Sequence, residues 1–147
     1  MSLFLEDIVV GTEYLSDEVT VTAEEIIAFA SQFDPQPFHL DAEAARDSFF
    51  GGLVASGWHT ASLTMRLLVT SGPQLAGGTI GAGGTISWPS ATHPNDRLHV
   101  RMTVVSVAAS KSNPSRGSLM MKVETLTDKD ELRQLFEVRI LVLTRTS

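Results

Sequence analysis

The stretch from Leu53 to Thr70 carries one formal charge, Arg66. As a helix it would set apolar or small residues such as Val54, Ala55, Trp58, Leu63, Met65 and Leu68 around nearly its whole circumference. A helix apolar almost all round has to be covered by other elements. The Ser71-Gly72-Pro73 that follows is a helix stop. The cover is written in the second half of the chain, where the apolar period changes to two. Thr79 to Trp88 reads as a strand rich in glycine. Leu98-Val100-Met102-Val104-Val105-Val107 alternates over a long run, with a bulge expected near Val105. Leu119-Met121-Val123 and Phe136-Val138-Ile140-Val142 repeat the pattern. The turn clusters His93–Asp96, Asn113–Gly117 and Asp128–Asp130 are short, which implies antiparallel neighbours. Helices first and an antiparallel sheet afterwards make an α+β chain, with the sheet curled around one long central helix.

Before that helix the chain has its own punctuation. Tyr14 to Val21 alternates weakly and reads as an edge strand. Thr22-Ala23-Glu24-Glu25 is a capping box, which opens a helix from Ala23 to about Gln32. Asp41 is placed to cap a second short helix, about Ala42 to Ser48. Phe49-Phe50-Gly51-Gly52 is a turn. No linker, repeat or low-complexity tract divides the chain, and 147 residues suit one domain spanning 1–147.

The chemistry-bearing segment is Phe33-Asp34-Pro35-Gln36-Pro37-Phe38-His39-Leu40-Asp41. Two prolines stiffen it and bias their predecessors away from helix, so Asp34 and His39 are expected on a semi-rigid turn and not on one helix face. A carboxylate beside a neutral imidazole can hold a water between them. That is equipment for adding water to a polarised double bond, or removing it, by general acid–base catalysis. The apolar neighbours Phe38 and Leu40 imply partial burial of His39, which favours the neutral ring. Asp41 reads as a helix cap and not as a catalyst.

From Phe29 to Leu68, the Asp-Pro-x-x-x-His-x-Asp core and the Gly-Gly-Leu-Val-Ala-Ser-Gly-Trp-His-Thr after it resemble the MaoC-like dehydratase family. These are relatives of the (R)-specific enoyl-CoA hydratases. The later Trp88-Pro89, Asp96-x-Leu98 and Ser112-x-Pro114-x-Arg116-Gly117 fit the same family's strands and hairpin. The resemblance implies a hotdog fold and a hydratase or dehydratase that interconverts a 3-hydroxyacyl-CoA and its trans-2-enoyl-CoA. It implies Asp34 and His39 as the catalytic pair and syn addition giving the (R) alcohol. It also implies the Gly57 N–H as the donor to the thioester oxygen, which suits free N–H groups and a positive dipole early in a helix. CoA or an acyl-carrier protein would then be the substrate's carrier, with no separate cofactor and no metal. At least a homodimer is implied.

The resemblance has one departure. Aligned through Gly57, Met65 stands where polyester-precursor hydratases place a serine that supports the aspartate. Ser62 and Thr64 are nearby replacements, and Ser56 is a further small polar residue expected to line the pocket. Trp58 is expected in the core or at a dimer contact. His59 is a weaker ligand candidate. Lys111 and Arg116 read as hairpin solubility more than as phosphate contacts.

Several other functions find no support. The net charge of −6 argues against a nucleic-acid partner. The chain has no cysteine, which removes disulfides, thiolate nucleophiles and zinc ribbons. The N-terminus has no basic region before an apolar run, and no apolar stretch is long enough to span a bilayer. A cytoplasmic location is expected. The glycines between Gly77 and Gly84 lack the spacing of a nucleotide loop and fit close backbone approach or bending in a strand. A thioesterase or a non-catalytic acyl-thioester binding protein is the rival reading, and thiol release separates the first of these from a hydratase.

Overall fold

The computed structural model describes residues 1–145. After a 3₁₀ turn, Leu5–Asp7, come β1 (Glu13–Leu15), β2 (Val19–Thr20), α1 (Ala23–Phe33), α2 (Pro37–Leu40) and α3 (Ala42–Ala45). They are followed by α4 (Gly57–Ser71), β3 (Ile80–Ser87), β4 (Arg97–Ala109), β5 (Arg116–Thr127) and β6 (Leu132–Leu143). The capping box at α1 is complete. The Thr22 hydroxyl accepts from the Glu25 N–H at 3.1 Å, and the Glu25 carboxylate accepts from the Thr22 N–H at 3.2 Å. A cap of this kind is worth about 1 kcal/mol.

The sheet runs β1-β4-β5-β6-β3 with antiparallel neighbours, and β2 pairs with β4 as well. The expected edge strand is therefore two short pieces, parted where Ser16 turns its hydroxyl to accept from the Val100 N–H. The bulge falls at Val105: Val104 faces Met121 while Ser106 faces Met120. A second irregularity interrupts β3 between Gly81 and Gly83, and Gly83 adopts φ +137°, which only glycine takes readily.

Alternation along β4, β5 and β6 turns Val100, Met102, Leu119, Met121, Val138 and Ile140 to one face, where Leu67 and Leu68 of α4 pack. A second cluster, Val21, Ile26, Ala45, Leu53, Ala55 and Leu98, ties α1 and α3 to the start of β4. This is the hotdog arrangement: an antiparallel sheet wrapped around one helix.

Two expectations about that helix need correction. It begins at Gly57, not Leu53. Residues 53–55 stay outside the helix because two of their N–H groups are taken by other elements: Val54 N–H donates to Phe38 O at 3.1 Å and Ala55 N–H to Thr92 O at 2.9 Å. Nor is it covered all round. Its inward face is His59, Thr60, Thr64, Leu67 and Leu68, whereas Trp58 is 58%, Met65 43% and Val69 42% exposed. Trp58 is thus not a core residue of the protomer.

The polar inward positions of α4 are satisfied locally. The Thr64 hydroxyl donates to Thr60 O at 2.8 Å and so must accept from the Thr125 hydroxyl, 2.6 Å away on β5. Among the described residues no helix is long and apolar enough to cross a membrane.

Candidate active site

Asp34 ends α1: its N–H donates to Ala30 O and its dihedral angles leave the helix. Pro35 and the extended Gln36 turn the chain. Pro37 then occupies the first position of α2, where a missing N–H costs nothing. His39 consequently sits in a single helical turn and not in the open loop expected from the two prolines. The Asp34 and His39 side chains still meet, with Oδ2 3.3 Å from Nε2. His39 is buried, and Asp34 is 19% exposed at the side chain.

The ring's orientation is set from behind. His39 Nδ1 lies 2.6 Å from Val54 O. A carbonyl can only accept, so Nδ1 carries the hydrogen, and in the neutral ring Nε2 presents its lone pair to Asp34. Phe38 braces the same segment, edge-on to His39 and to Phe50. Residues 53–55, held outside the helix, therefore explain the site as well as the fold. They hold the imidazole on one side, while on the other the Ala55 N–H is bonded to Thr92 O.

Burial works to raise the Asp34 pKa, but it is outweighed first by the Ser56 hydroxyl and the Gln36 amide, and by the charge of His39 when that ring is protonated. The carboxyl sits below its ordinary value. The Gln36 amide donates to Oδ1. Asp34 is thus a carboxylate at neutral pH, with one oxygen turned to the imidazole.

Ser56 is fully buried and caps α4, its Oγ accepting from the Trp58 N–H at 3.2 Å. It meets Asp34 at the helix start, where the sequence reading looked for support further along at Ser62 or Thr64. Neither of those serves. The Ser62 hydroxyl donates to Trp58 O on the exposed side of α4, so Ser62 is not brought to the site, and Thr64 faces Thr125. The serine replaced by Met65 is likewise irrelevant to Asp34 in this protomer, because Met65 points outward.

A cavity of about 450 Å³ opens beside the pair. His39, Gly57, Thr60 and Thr92 contribute to its wall, and Phe49 (95% exposed) and Phe50 (39%) stand at its mouth. Trp88 forms another wall, pinned by its indole N–H donating to Gln134 Oε1 at 2.9 Å. Gly57 is required here by packing: a Cβ on it would lie 2.6 Å from the Trp88 ring. Arg133, itself buried, donates to Asp96 and to Ser90 and fixes the 90–96 loop behind Thr92. Sequence reasoning missed Thr60, Trp88 and Thr92 as lining residues. No local motif marks them; the sheet and α4 bring them together.

The remaining candidates fall elsewhere. His59 is buried against Phe29, stacked at 4.8 Å, and its Nδ1 has no hydrogen-bond partner. It does not line the cavity. Arg116 opens β5 and Lys111 precedes it in the same hairpin, while Thr125, which meets α4, is nine residues beyond Arg116 in that strand. At about 3.3 Å per residue this is roughly 30 Å.

Four likenesses bear on what this arrangement is. The family model for the MaoC like domain matches residues 7–125. A crystal structure of a MaoC-like dehydratase from Rhodospirillum rubrum is 53% identical, covering 99% of this chain and 100% of that one, with a TM-score of 0.95. The unliganded (R)-hydratase PhaJ1 from Pseudomonas aeruginosa shares the fold at 22% identity and a TM-score of 0.77, covering 98% of this chain and 88% of that one. The uncharacterized protein YdeM of Bacillus subtilis is 28% identical over 145 residues, 96% of this chain and 98% of its own length. With the family model spanning most of its length and the aspartate meeting a histidine that lines a cavity, the chain belongs to the MaoC-like dehydratase family.

Proposed function

We propose that the protein is a hydro-lyase that interconverts 3-hydroxyacyl and trans-2-enoyl thioesters, with CoA or an acyl-carrier protein as carrier. The observation that carries this reading is the facing of two acceptors. Asp34 Oδ2 and His39 Nε2 stand 3.3 Å apart, with Nδ1 committed to Val54 O and His39 in the cavity wall, and in the neutral ring both are acceptors. Two acceptors side by side recruit a water that donates one hydrogen to each and turns its oxygen lone pair to the substrate.

In the hydration direction that oxygen bonds to C3 of the enoyl group as the pair removes its proton. The C2–C3 π electrons move toward the thioester, giving an enolate. The enolate oxygen is held by the Gly57 N–H at the start of α4, where an N–H is free of helical partners and the dipole is positive. The proton is then delivered to C2 by the same pair, so hydrogen and hydroxyl add to one face. Dehydration is the reverse.

We further propose that the working unit is a homodimer. β3 ends the sheet with an unpaired edge, exposed along nearly all its length, and Ile80–Ser87 contains neither charge nor proline to blunt it. Ile80 and the outward Trp58, Met65 and Val69 add apolar surface.

The test is turnover of crotonyl-CoA followed by loss of enoyl-thioester absorbance, with thiol release measured in parallel. Absorbance loss without thiol, falling about 10²–10⁴-fold in Asp34→Asn and in His39→Ala, is the expected result. Thiol release would reassign the site to a thioesterase. Turnover that survives both substitutions would remove the pair from the mechanism.

A further inference from the structure

Thr60 and Thr92 are 1% and 2% exposed, both line the cavity, and their hydroxyl oxygens are 2.9 Å apart. Two hydroxyls hold two hydrogens, and one bond between them consumes one. Whichever oxygen donates, the other hydroxyl keeps a hydrogen with no acceptor among the described residues. A buried donor left without an acceptor is costly. Here it sits on a wall where a ligand can supply the acceptor.

The chemistry of that ligand is limited by the other groups at this end. No lysine or arginine lines the cavity. Arg133 comes nearest through Ser90, but its guanidinium is held by Asp96, and the Ser90 hydroxyl is itself committed to Leu132 O. Nothing cationic is free to meet a carboxylate, so a neutral oxygen fits the spare donor.

Its place along the acyl chain follows from α4. Thr60 is three residues beyond Gly57, about 4.5 Å along the helix axis. If the thioester oxygen is held at Gly57 and the acyl chain runs along α4, Thr60 stands about three or four carbon–carbon bonds of near 1.5 Å further along that chain.

We propose that the Thr60–Thr92 pair is a specificity site that selects a short acyl group bearing a neutral acceptor oxygen, such as an ether, carbonyl or hydroxyl, about four atoms from the thioester carbonyl carbon. The assignment rests on the hydratase reading for the direction in which the acyl chain lies. Pocket walls built to hydrogen-bond a group disfavour the isostere that lacks it, because the wall's own polar atoms then go unpaired.

The experiment is equilibrium binding of two saturated thioesters that differ by one oxygen for one methylene, 4-methoxybutanoyl-CoA and hexanoyl-CoA. It is run on the parent, Thr60→Val/Thr92→Val and Thr92→Ser, alongside crotonyl-CoA turnover by the parent. The parent is expected to prefer the ether about tenfold. The double valine variant, equal in shape, is expected to lose the preference, and Thr92→Ser to keep it. Equal affinities in the parent, or a preference surviving in the double variant, would overturn the assignment while hydration of crotonyl-CoA still stood. Failure of the parent both to bind either thioester and to hydrate crotonyl-CoA would sink the hydratase reading and this inference with it.

Discussion

Gly57→Ala tests how the first turn of α4 and the cavity wall depend on each other. The new Cβ would lie 2.6, 2.8 and 2.9 Å from three atoms of the Trp88 ring. Ordinary carbon contacts are about 3.5–4.0 Å, so the ring or the helix start must move by about 1 Å. The ring is not free to do so, since its N–H is bonded to the fully buried Gln134 and Trp58 packs edge-on against it at 5.2 Å. Overpacking of this kind costs about 1–3 kcal/mol. Alanine's better helix propensity, up to about 1 kcal/mol over glycine, works in the opposite direction. In a Trp88→Ala background the overlapping atoms are gone, and Gly57→Ala should become neutral or slightly stabilising. Urea unfolding of the parent, both single variants and the double variant gives the coupling, expected at about 1–3 kcal/mol. The activity of Gly57→Ala should fall as well, because the displaced ring is a wall of the cavity. Equal destabilisation by Gly57→Ala in both backgrounds would refute the close-contact account.

Further outcomes follow from the same structure. His59 is buried without a partner on Nδ1 and its pKa is lowered, first by burial and against the pull of Glu25, so the folded state prefers the neutral ring. Its stabilising contribution is present above about pH 6.5 and is lost as pH falls below it, with a slope of up to about 1.4 kcal/mol per pH unit. His59→Leu should flatten that part of the stability profile, and an unchanged slope would contradict the assignment. The Asp34 pKa lies below its ordinary value, so deprotonation of Asp34 should not limit kcat/KM anywhere in the neutral range. Ser56→Ala removes one of the groups that lower it, so the Asp34 carboxyl, followed by carbon-13 NMR, should titrate at higher pH than in the parent. No movement would take Ser56 out of that role. Ile80→Lys puts a charge on the open edge of β3 and should convert a dimer to a monomer in sedimentation velocity, whereas an unchanged dimer would move the interface elsewhere.

Much of this was legible in the sequence wherever the determinant is local. The α1 capping box, the Asp41 cap of α3, the bulge at Val105 and the long alternating strands all follow from short-range pattern. The start of α4 was misjudged because Leu53-Val54-Ala55 is as apolar as the helix itself. Their exclusion from the helix is imposed by Phe38 and Thr92, which are distant in sequence. The cap signal was nonetheless present, since Ser56 before Gly57-Trp58 is a good N-cap. Likewise Pro37 at a first helical position marks the turn that carries His39. The acid and the imidazole could be picked out from one nonapeptide. Ser56 could not be paired with Asp34, nor Thr60 with Thr92, because those meetings depend on how α4 packs against its surroundings.

The central claim is that one water-holding pair delivers both hydroxyl and proton to a single face of the double bond. Hydration of crotonyl-CoA in deuterium oxide, with the product resolved by proton NMR and chiral analysis, tests this most directly. The expected product carries one deuteron at C2, placed syn to the new C3 hydroxyl, in a single 3-hydroxybutyryl-CoA enantiomer, the (R) form. Deuterium on both faces of C2, anti placement, or free CoA in place of a hydroxyacyl thioester would contradict it.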